Sequence, residues 1–443
     1  TIIKLNAKEL EQRQGQTIAQ IINTKSGITI NGSLSNAGQN LSTYVRGGQN
    51  RQVLVLIDGI AVSDPSQIEN NFDLQLLAFD QIESIEILKG ASSALYGNRA
   101  STAVINVTLK KPTESKIKVN MSSFIATNNS QEDSAIDFAD FTNSVGFNGT
   151  LNRFNYLVNF SNTFTDGLSA IAPVEGAPDN NSDQFSKITG NIKLGYNLSK
   201  QFKISLYGNF DKYKTGFDDG FFVSDADNTL RSEQFRLGVA PKYTYKNGSI
   251  NINAAINSVK RDFESSFPTK FEAKSIVIDA YNKYKFSNEF YSIIGLNYIN
   301  TNMDNFSIPF GASDFESTVD SDDANDNSID PYINLTYLSD YGLNLNTGMR
   351  LNNHSEYGSH FVYNLNPSYN VSVNEGYAKI FGSYATSFIA PNLSQLFGFF
   401  GANPDLEPEE NITIEGGLEY NTKNGFRVSG LYFNRNEENT IVF

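Results

Sequence analysis

Downstream of residue 117 the chain alternates apolar and polar positions with period two. Phe154, Tyr156, Val158 and Phe160 share one face, while Asn155, Asn159 and Ser161 occupy most of the other. Phe202, Ile204 and Leu206 stand against Lys203, Ser205 and Asn209 in the same way. So do Ile250, Ile252, Ala254 and Ile256 against Asn251, Asn253 and Asn257, and Leu343, Leu345, Met349 and Leu351 against Asn344, Asn346, Gly348 and Arg350. Such alternation marks a strand with one apolar and one wet face. Asn and Ser on the wet face imply water there, not a second apolar layer.

The connections carry as much information as the strands. Tight turns are predicted at 198–201, 246–249, 286–289, 339–341, 373–376 and 421–425, and longer polar segments at 164–186, 213–233, 262–274, 303–330, 352–360 and 388–411. Short and long alternate strictly, so a meander has all its tight turns at one end, as an outer-membrane barrel does. A propeller would repeat every ~40–50 residues with a blade motif, and none is found. About fifteen strands fit between residue 117 and the end. An odd count that stops part-way through a strand at 425–443 leaves an edge that hydrocarbon does not tolerate. The barrel over 113–443 is therefore expected to be C-terminally incomplete.

Residues 1–112 read differently. A helix is predicted over 9–22, carrying Leu10, Ile18, Ile21 and Ile22, with short strands at 28–30, 53–57 and 82–88 and a helical turn at 91–96. This α+β unit is too irregular for an enzyme domain and the right size to fill a wide barrel. The expected fold is an all-β transmembrane barrel with an N-terminal α+β plug inside it.

Composition narrows the classes further. The chain has 443 residues with no Cys, which rules out disulfides and Cys-ligated metals. Mean hydropathy is −0.34, and no run approaches the roughly 18 apolar residues of a membrane helix. A barrel survives this test, because lipid-facing and lumen-facing residues alternate. A net charge of −14 argues against a nucleic-acid partner. The 33 Phe and 22 Tyr suit the interfacial girdles of a barrel. Composition alone leaves a soluble, aromatic-rich sandwich or propeller equally open.

Several motifs give the chain a family resemblance. Arg46-Gly47-Gly48, Val55-Leu56-Ile57-Asp58-Gly59, Ile85-Glu86-Ile87-Leu88-Lys89-Gly90 and Ala94-Leu95-Tyr96-Gly97 follow one another in the first unit. Far downstream come the blocks 387–398, Ser-Phe-Ile-Ala-Pro-Asn-Leu-Ser-Gln-Leu-Phe-Gly, and 403–409, Asn-Pro-Asp-Leu-Glu-Pro-Glu. Together they resemble TonB-dependent outer-membrane receptors, and the segment 350–358 resembles cobalamin (vitamin B12) receptor-like members. One departure is Thr102-Ala103-Val104-Ile105-Asn106, where many plugs carry Gly-Gly-Val-Ile-Asn. The resemblance implies a 22-stranded barrel, of which about fifteen strands are present. It also implies location in the bacterial outer membrane, in contact with its lipid. The partner it implies is an inner-membrane TonB-type protein that supplies energy, with a surface lipoprotein as a further candidate. The polar start at Thr1 reads as the interior of a plug, so the TonB-coupling segment is expected upstream.

The implied function is import of a scarce nutrient bound at the outer loops and plug apex. A cobalamin-like corrinoid is the first substrate and a ferric siderophore the second. A non-transporting surface binding protein is the alternative from another class. No nucleophile–base–acid set is present, so an enzyme is not expected. The loop 59–71 is read as the plug apex, with Ser63, Asp64, Gln67, Asn70 and Asn71 as candidate substrate contacts. Arg46 and Arg51 flank a Gly-Gly turn and can pair with carboxylates on the wall; the resemblance suggests Glu415 or Glu419. Asp218, Asp219, Asp225 and Asp227, on a loop with glycines, are a candidate Ca²⁺ site, since Ca²⁺ accepts several oxygens in loose geometry. No other cofactor is expected. The denser acidic run from Asp314 to Asp330 reads as a solvated loop. His354 and His360 lack a third ligand.

Overall fold

The computed structural model describes residues 2–13, 15–127, 138–172, 180–220, 223–399 and 401–442. The N-terminal unit contains β1 (Ile2–Asn6), α1 (Ala7–Glu11), α2 (Ile18–Asn23), β2 (Ile28–Asn31), β3 (Ser42–Val45), β4 (Val53–Ile57), β5 (Ile60–Val62), β6 (Ile82–Lys89), α3 (Ser93–Tyr96) and β7 (Ala103–Leu109). Five strands form one sheet in the order β1-β6-β7-β4-β5, while β2 and β3 make a separate hairpin. The parallel pair β4–β7 sits inside this sheet and is apolar along nearly its whole length, as strands covered on both faces are. Leu5, Ile21, Ile22, Val45, Ile85, Ile87, Ile105 and Val107 are buried in the core between sheet and helices.

The single helix expected over 9–22 is broken. Gly15 takes φ +90, a left-handed conformation that favours glycine, and Thr17 starts α2 with a reciprocal capping box to Gln20. Two apolar patches are therefore joined by a turn that periodicity alone does not register.

The ring of strands follows: β8 (Lys118–Ala126), β9 (Asp140–Leu151), β10 (Phe154–Thr165), β11 (Phe185–Asn197), β12 (Phe202–Asp219), β13 (Ser224–Val239), β14 (Lys242–Tyr245), β15 (Gly248–Glu264), β16 (Thr269–Lys285) and β17 (Phe290–Ser307). It continues with β18 (Glu316–Val319), β19 (Asn325–Leu338), β20 (Leu343–His354), β21 (Gly358–Val373), β22 (Gly376–Ile389), α4 (Leu393–Phe397), β23 (Glu409–Thr422) and β24 (Arg427–Glu438). Every neighbouring pair with a register is antiparallel. β14 pairs with the same neighbours as β13 and continues it past Ala240-Pro241, while β18 is a flap on β17. Fifteen spanning strands remain among the described residues, as expected. The ring order closes β24 onto β8, although no residue register joins them. Both strands are exposed on both faces for most of their length.

The wall is inside out relative to a soluble protein. Phe160, Ile192, Leu206, Leu237, Ile256, Leu296, Met349 and Ile414 are exposed, whereas Asn159, Thr189, Asn191, Asn209, Asn257 and Asn364 are buried. This is the pattern of a lipid-facing exterior and a polar, filled interior. Tyr243, Tyr245, Tyr284, Phe286 and Phe290 form a chain of ring contacts at the tight-turn end, where an interfacial girdle belongs. No helix among the described residues is long and apolar enough to cross a membrane.

Tight turns and longer connections alternate around the ring, but three predicted loops are largely strand. β12 and β13 run through most of 213–233, β15 and β16 through most of 262–274, and β20 and β21 through most of 352–360. The ladder continues there, but the outward row turns polar while Tyr213, Phe217, Leu230 and Phe263 pack toward the plug, so the apolar outer face that marks the strands lower down ends.

Candidate functional site

The plug meets the wall through two buried ion pairs on one side. The chain leaves β3 into a tight turn, with Arg46 at φ +51 and Gly47 at φ +74, closed by Val45 and Gly48 bonding to each other. Gly48 has no room for a side chain, since a Cβ would sit 2.2 Å from Thr102 Cγ2. Arg46 Nη1 lies 2.5 Å from Glu415 Oε1, and its guanidinium covers the Phe433 ring. Arg51, in the 3-10 turn Asn50–Gln52, approaches Glu409 Oε1 with Nε at 2.7 Å and Nη2 at 2.5 Å. Its side chain is 3% exposed and that of Glu409 is 0% exposed. Glu409 also accepts from Ile441 N at 2.7 Å, and Gln52 Nε2 donates to Glu437 at 2.9 Å.

Of the two carboxylates named from the sequence, the structure brings Glu415 to the plug and leaves Glu419 away from it. Glu419 accepts from Arg427 and from the Tyr377 hydroxyl, four residues further along β23 toward its turn. At about 3.3 Å per residue that places it beyond the reach of either arginine. Glu409, which sequence reasoning missed, shares the parity of Glu415 on β23. That parity puts both on the lumen face only once the strand is known to begin at Glu409, inside the stretch 388–411 that reads as loop.

Other contacts ring the plug. Arg350 pairs with Asp330 at 3.2 Å, covers the Tyr332 ring and donates to Leu95 O at 3.2 Å. Gly97, at φ +88, leaves that guanidinium room, because a Cβ would meet Nη1 at 2.2 Å. Asp58 accepts from Leu109 N at 2.9 Å and pairs with Lys193 at 2.5 Å. Opposite the ion pairs the contact is apolar: Phe72, Leu74, Leu76 and Leu77 share a core with Phe185, Tyr213 and Leu230 of the wall. Asp73 lies in that region, where burial pushes its carboxyl up despite bonds from Gln75 and the Tyr213 hydroxyl.

The apex has two loops, of which the sequence reading found one. In 63–71, Ser63, Gln67, Asn70 and Asn71 are half-buried, and Ile68 is exposed. Asp64 is buried and turned to the wall, where Arg261 Nε lies 2.8 Å away and Nη2 donates to Ser66 O at 3.1 Å. That aspartate anchors the loop and does not face an incoming ligand. The second loop, 32–41, reaches the same end: Asn36 donates to Leu168 O and Thr215 donates to Ala37 O at 3.0 Å. Leu34 at its tip is 85% exposed. Its signal was the Gly, Ser and Asn cluster around an isolated leucine.

The acidic hairpin is tied to a neighbouring segment. Asp218 accepts from Ser169 Oγ, Ala170 N and Ile171 N, and Asp225 and Asp227 accept from Asn181. Asp219, the remaining carboxylate named there, ends β12 and pairs in register with Ser224. Asp183 Oδ2 is buried without a hydrogen bond; burial and the nearby Asp218 push that carboxyl up to about 6. Among the described residues no three carboxylate or imidazole groups converge as a cation cage. His360 is stacked on Phe388 and bonded to Glu410, and His354 accepts from Glu356 N.

The comparisons agree with this architecture. Residues 1–104 match the TonB-dependent Receptor Plug Domain, and residues 88–443 match the TonB dependent receptor-like beta-barrel. The chain is 24% identical over 415 residues to the vitamin B12 transporter BtuB of Photobacterium profundum, covering 92% of this chain and 62% of that protein. It is 23% identical over 417 residues to BtuB of Vibrio cholerae serotype O1 (strain M66-2), covering 93% and 63%. The chain thus spans less than two thirds of the length of these curated relatives. A mutant ferric enterobactin receptor (PfeA) from Pseudomonas aeruginosa superimposes with a TM-score of 0.77 at 18% identity, over 99% of this chain and 71% of that one. The siderophore receptor PirA from Acinetobacter baumannii gives 0.78 at 16%, over 99% and 70%. At such identity these structures speak for the fold alone.

Proposed function

Since the chain belongs to the TonB-dependent receptor family, with plug and barrel both matched, we propose that it comes from an outer-membrane importer of a scarce nutrient. The cargo binds at the outer loops and at the two apex loops, and enters when an inner-membrane TonB-type protein pulls on the plug. The observation that carries this reading is the filled lumen. Arg46–Glu415, Arg51–Glu409 and Arg261–Asp64 pin the plug to the wall with buried charge pairs. Separating such pairs is costly, and a membrane with neither ATP nor an ion gradient of its own must receive that work from outside.

A cobalamin-like corrinoid is the first cargo, supported by a match along 92% of this chain to a vitamin B12 transporter at low identity. A ferric siderophore is the second, supported by structural neighbours that are siderophore receptors. Calorimetric titration of the whole receptor with cyanocobalamin and with a ferric catecholate separates them. Saturable binding of the corrinoid alone supports the first; binding of the siderophore alone replaces it. Repeating the titration in calcium and in EGTA tests the acidic hairpin, where the unpartnered Asp183 Oδ2 is the atom a cation would relieve.

A further inference from the structure

Beneath the apex lies a chamber of about 120 Å³, between the β4–β5 hairpin and α3 of the plug and strands β16, β17, β19 and β20 of the wall. It holds about four waters by volume, or one carboxylate or phosphate group. Pro391 and Asn392 border it, and Asn392 Nδ2 donates to the apex carbonyl of Ile68 at 2.9 Å. The charges on its barrel side all have partners. Arg350 pairs with Asp330, Asp279 accepts from the Tyr332 hydroxyl at 2.9 Å, and Asp326 accepts from the Thr301 hydroxyl.

The plug side is different. Arg99 lines the chamber, is 6% exposed and takes φ +72, a strained conformation for a residue with a side chain. Its Nε donates to Arg51 O at 3.3 Å, and among the described residues its two Nη atoms make no hydrogen bond and no ion pair. Glu69 raises its pKa through space but remains outside pairing distance, and burial brings the guanidinium down to about 10. Asn70 Oδ1 and Asn98 Oδ1, on the same wall, are also buried without partners. Turning either amide over presents its NH₂ to the chamber and breaks no hydrogen bond made within the protein.

We propose that this chamber is an oxyanion subsite, with the Arg99 guanidinium as its charged ligand and the amides of Asn70 and Asn98 as further donors. It takes one carboxylate or phosphate group, to which the planar fork of a guanidinium is matched. The subsite rests on the nutrient-receptor reading only for the source of that group, which is either the cargo itself or free phosphate.

The test is calorimetric titration of the full-length receptor with inorganic phosphate and with acetate, before and after saturation with cargo. Saturable binding is expected, weakened at least tenfold in Arg99→Gln, partly retained in Arg99→Lys and tightened in Glu69→Gln. Loss of phosphate binding after cargo saturation assigns the group to the cargo; unchanged binding assigns a free anion. Folding of each variant is checked by heat-modifiable gel migration. If Arg99→Gln does not fold, Glu69→Gln and Asn98→Ala decide, with tighter and weaker binding expected. No saturable binding to the wild type, or equal binding by folded Arg99→Gln, overturns the proposal. Phosphate binding without any cargo binding would sink the nutrient reading and leave the subsite standing.

Discussion

Arg51 and Glu409 are the most completely buried ion pair between plug and wall. Removing one partner leaves the other charged and buried, a loss of about 3–5 kcal/mol, whereas replacing both by apolar residues is close to neutral. Arg51→Ala and Glu409→Ala should each loosen the plug, read as new conductance of the receptor in a planar bilayer. The double variant Arg51→Met with Glu409→Leu should conduct less than either; equal leakage from all three would contradict the role given to the pair. Gly97→Ala should cost about 1–3 kcal/mol, because its Cβ strikes Arg350 and its φ is +88. Denaturant unfolding measures that loss, and an unchanged midpoint would remove Gly97 from the account. Arg46 and Arg51 were legible in the sequence because a Gly-Gly turn flags exposed backbone beside two charges. Glu409 was not, since it follows Pro408 in a stretch that reads as loop and its strand starts at that residue.

Among the elements, legibility followed the membrane. Strands in the hydrocarbon zone must alternate, so β10, β12, β15 and β20 could be read directly from residue order. Above it the outward row turns polar and the apolar residues Tyr213, Phe217 and Leu230 face the plug instead, so the extensions of β12 and β13 carry the composition of a loop. The α1–α2 break was hidden for another reason: Gly15 and Thr17 act through backbone conformation and capping, which leave the apolar spacing intact. The segment 180–184 carries a pH dependence of its own. Asp183 has its folded pKa raised to about 6 from an ordinary 3.8. Its protonated form therefore suits the fold, and docking is fully present below pH ~4 and weakens as pH rises through about 6. Amide exchange at 180–184, corrected for intrinsic rates, should be slower at pH 5 than at pH 7.5. Asp183→Asn should abolish the difference, and a difference that persists in it would assign the effect elsewhere.

For the whole molecule, the arrangement of connections fixes the orientation. All tight turns lie at one end, which should face the periplasm, and the apex loops lie at the other. These 443 residues carry no Cys, so a single cysteine placed among them is read against the full-length receptor without it. In intact cells an impermeant maleimide should label Ser266→Cys, in the β15–β16 connection, and leave Asn288→Cys, in the β16–β17 turn, unlabelled until the outer membrane is opened. The reverse pattern would invert the barrel. The proposed import requires that energy from the inner membrane move the plug. Its most direct measurement is binding and uptake of labelled cyanocobalamin, alongside a ferric siderophore, by cells producing the full-length receptor with and without a working TonB. TonB-driven import predicts equal surface binding in both strains and uptake only where TonB works. Equal uptake without TonB, or cargo bound and never internalised in either strain, would contradict it.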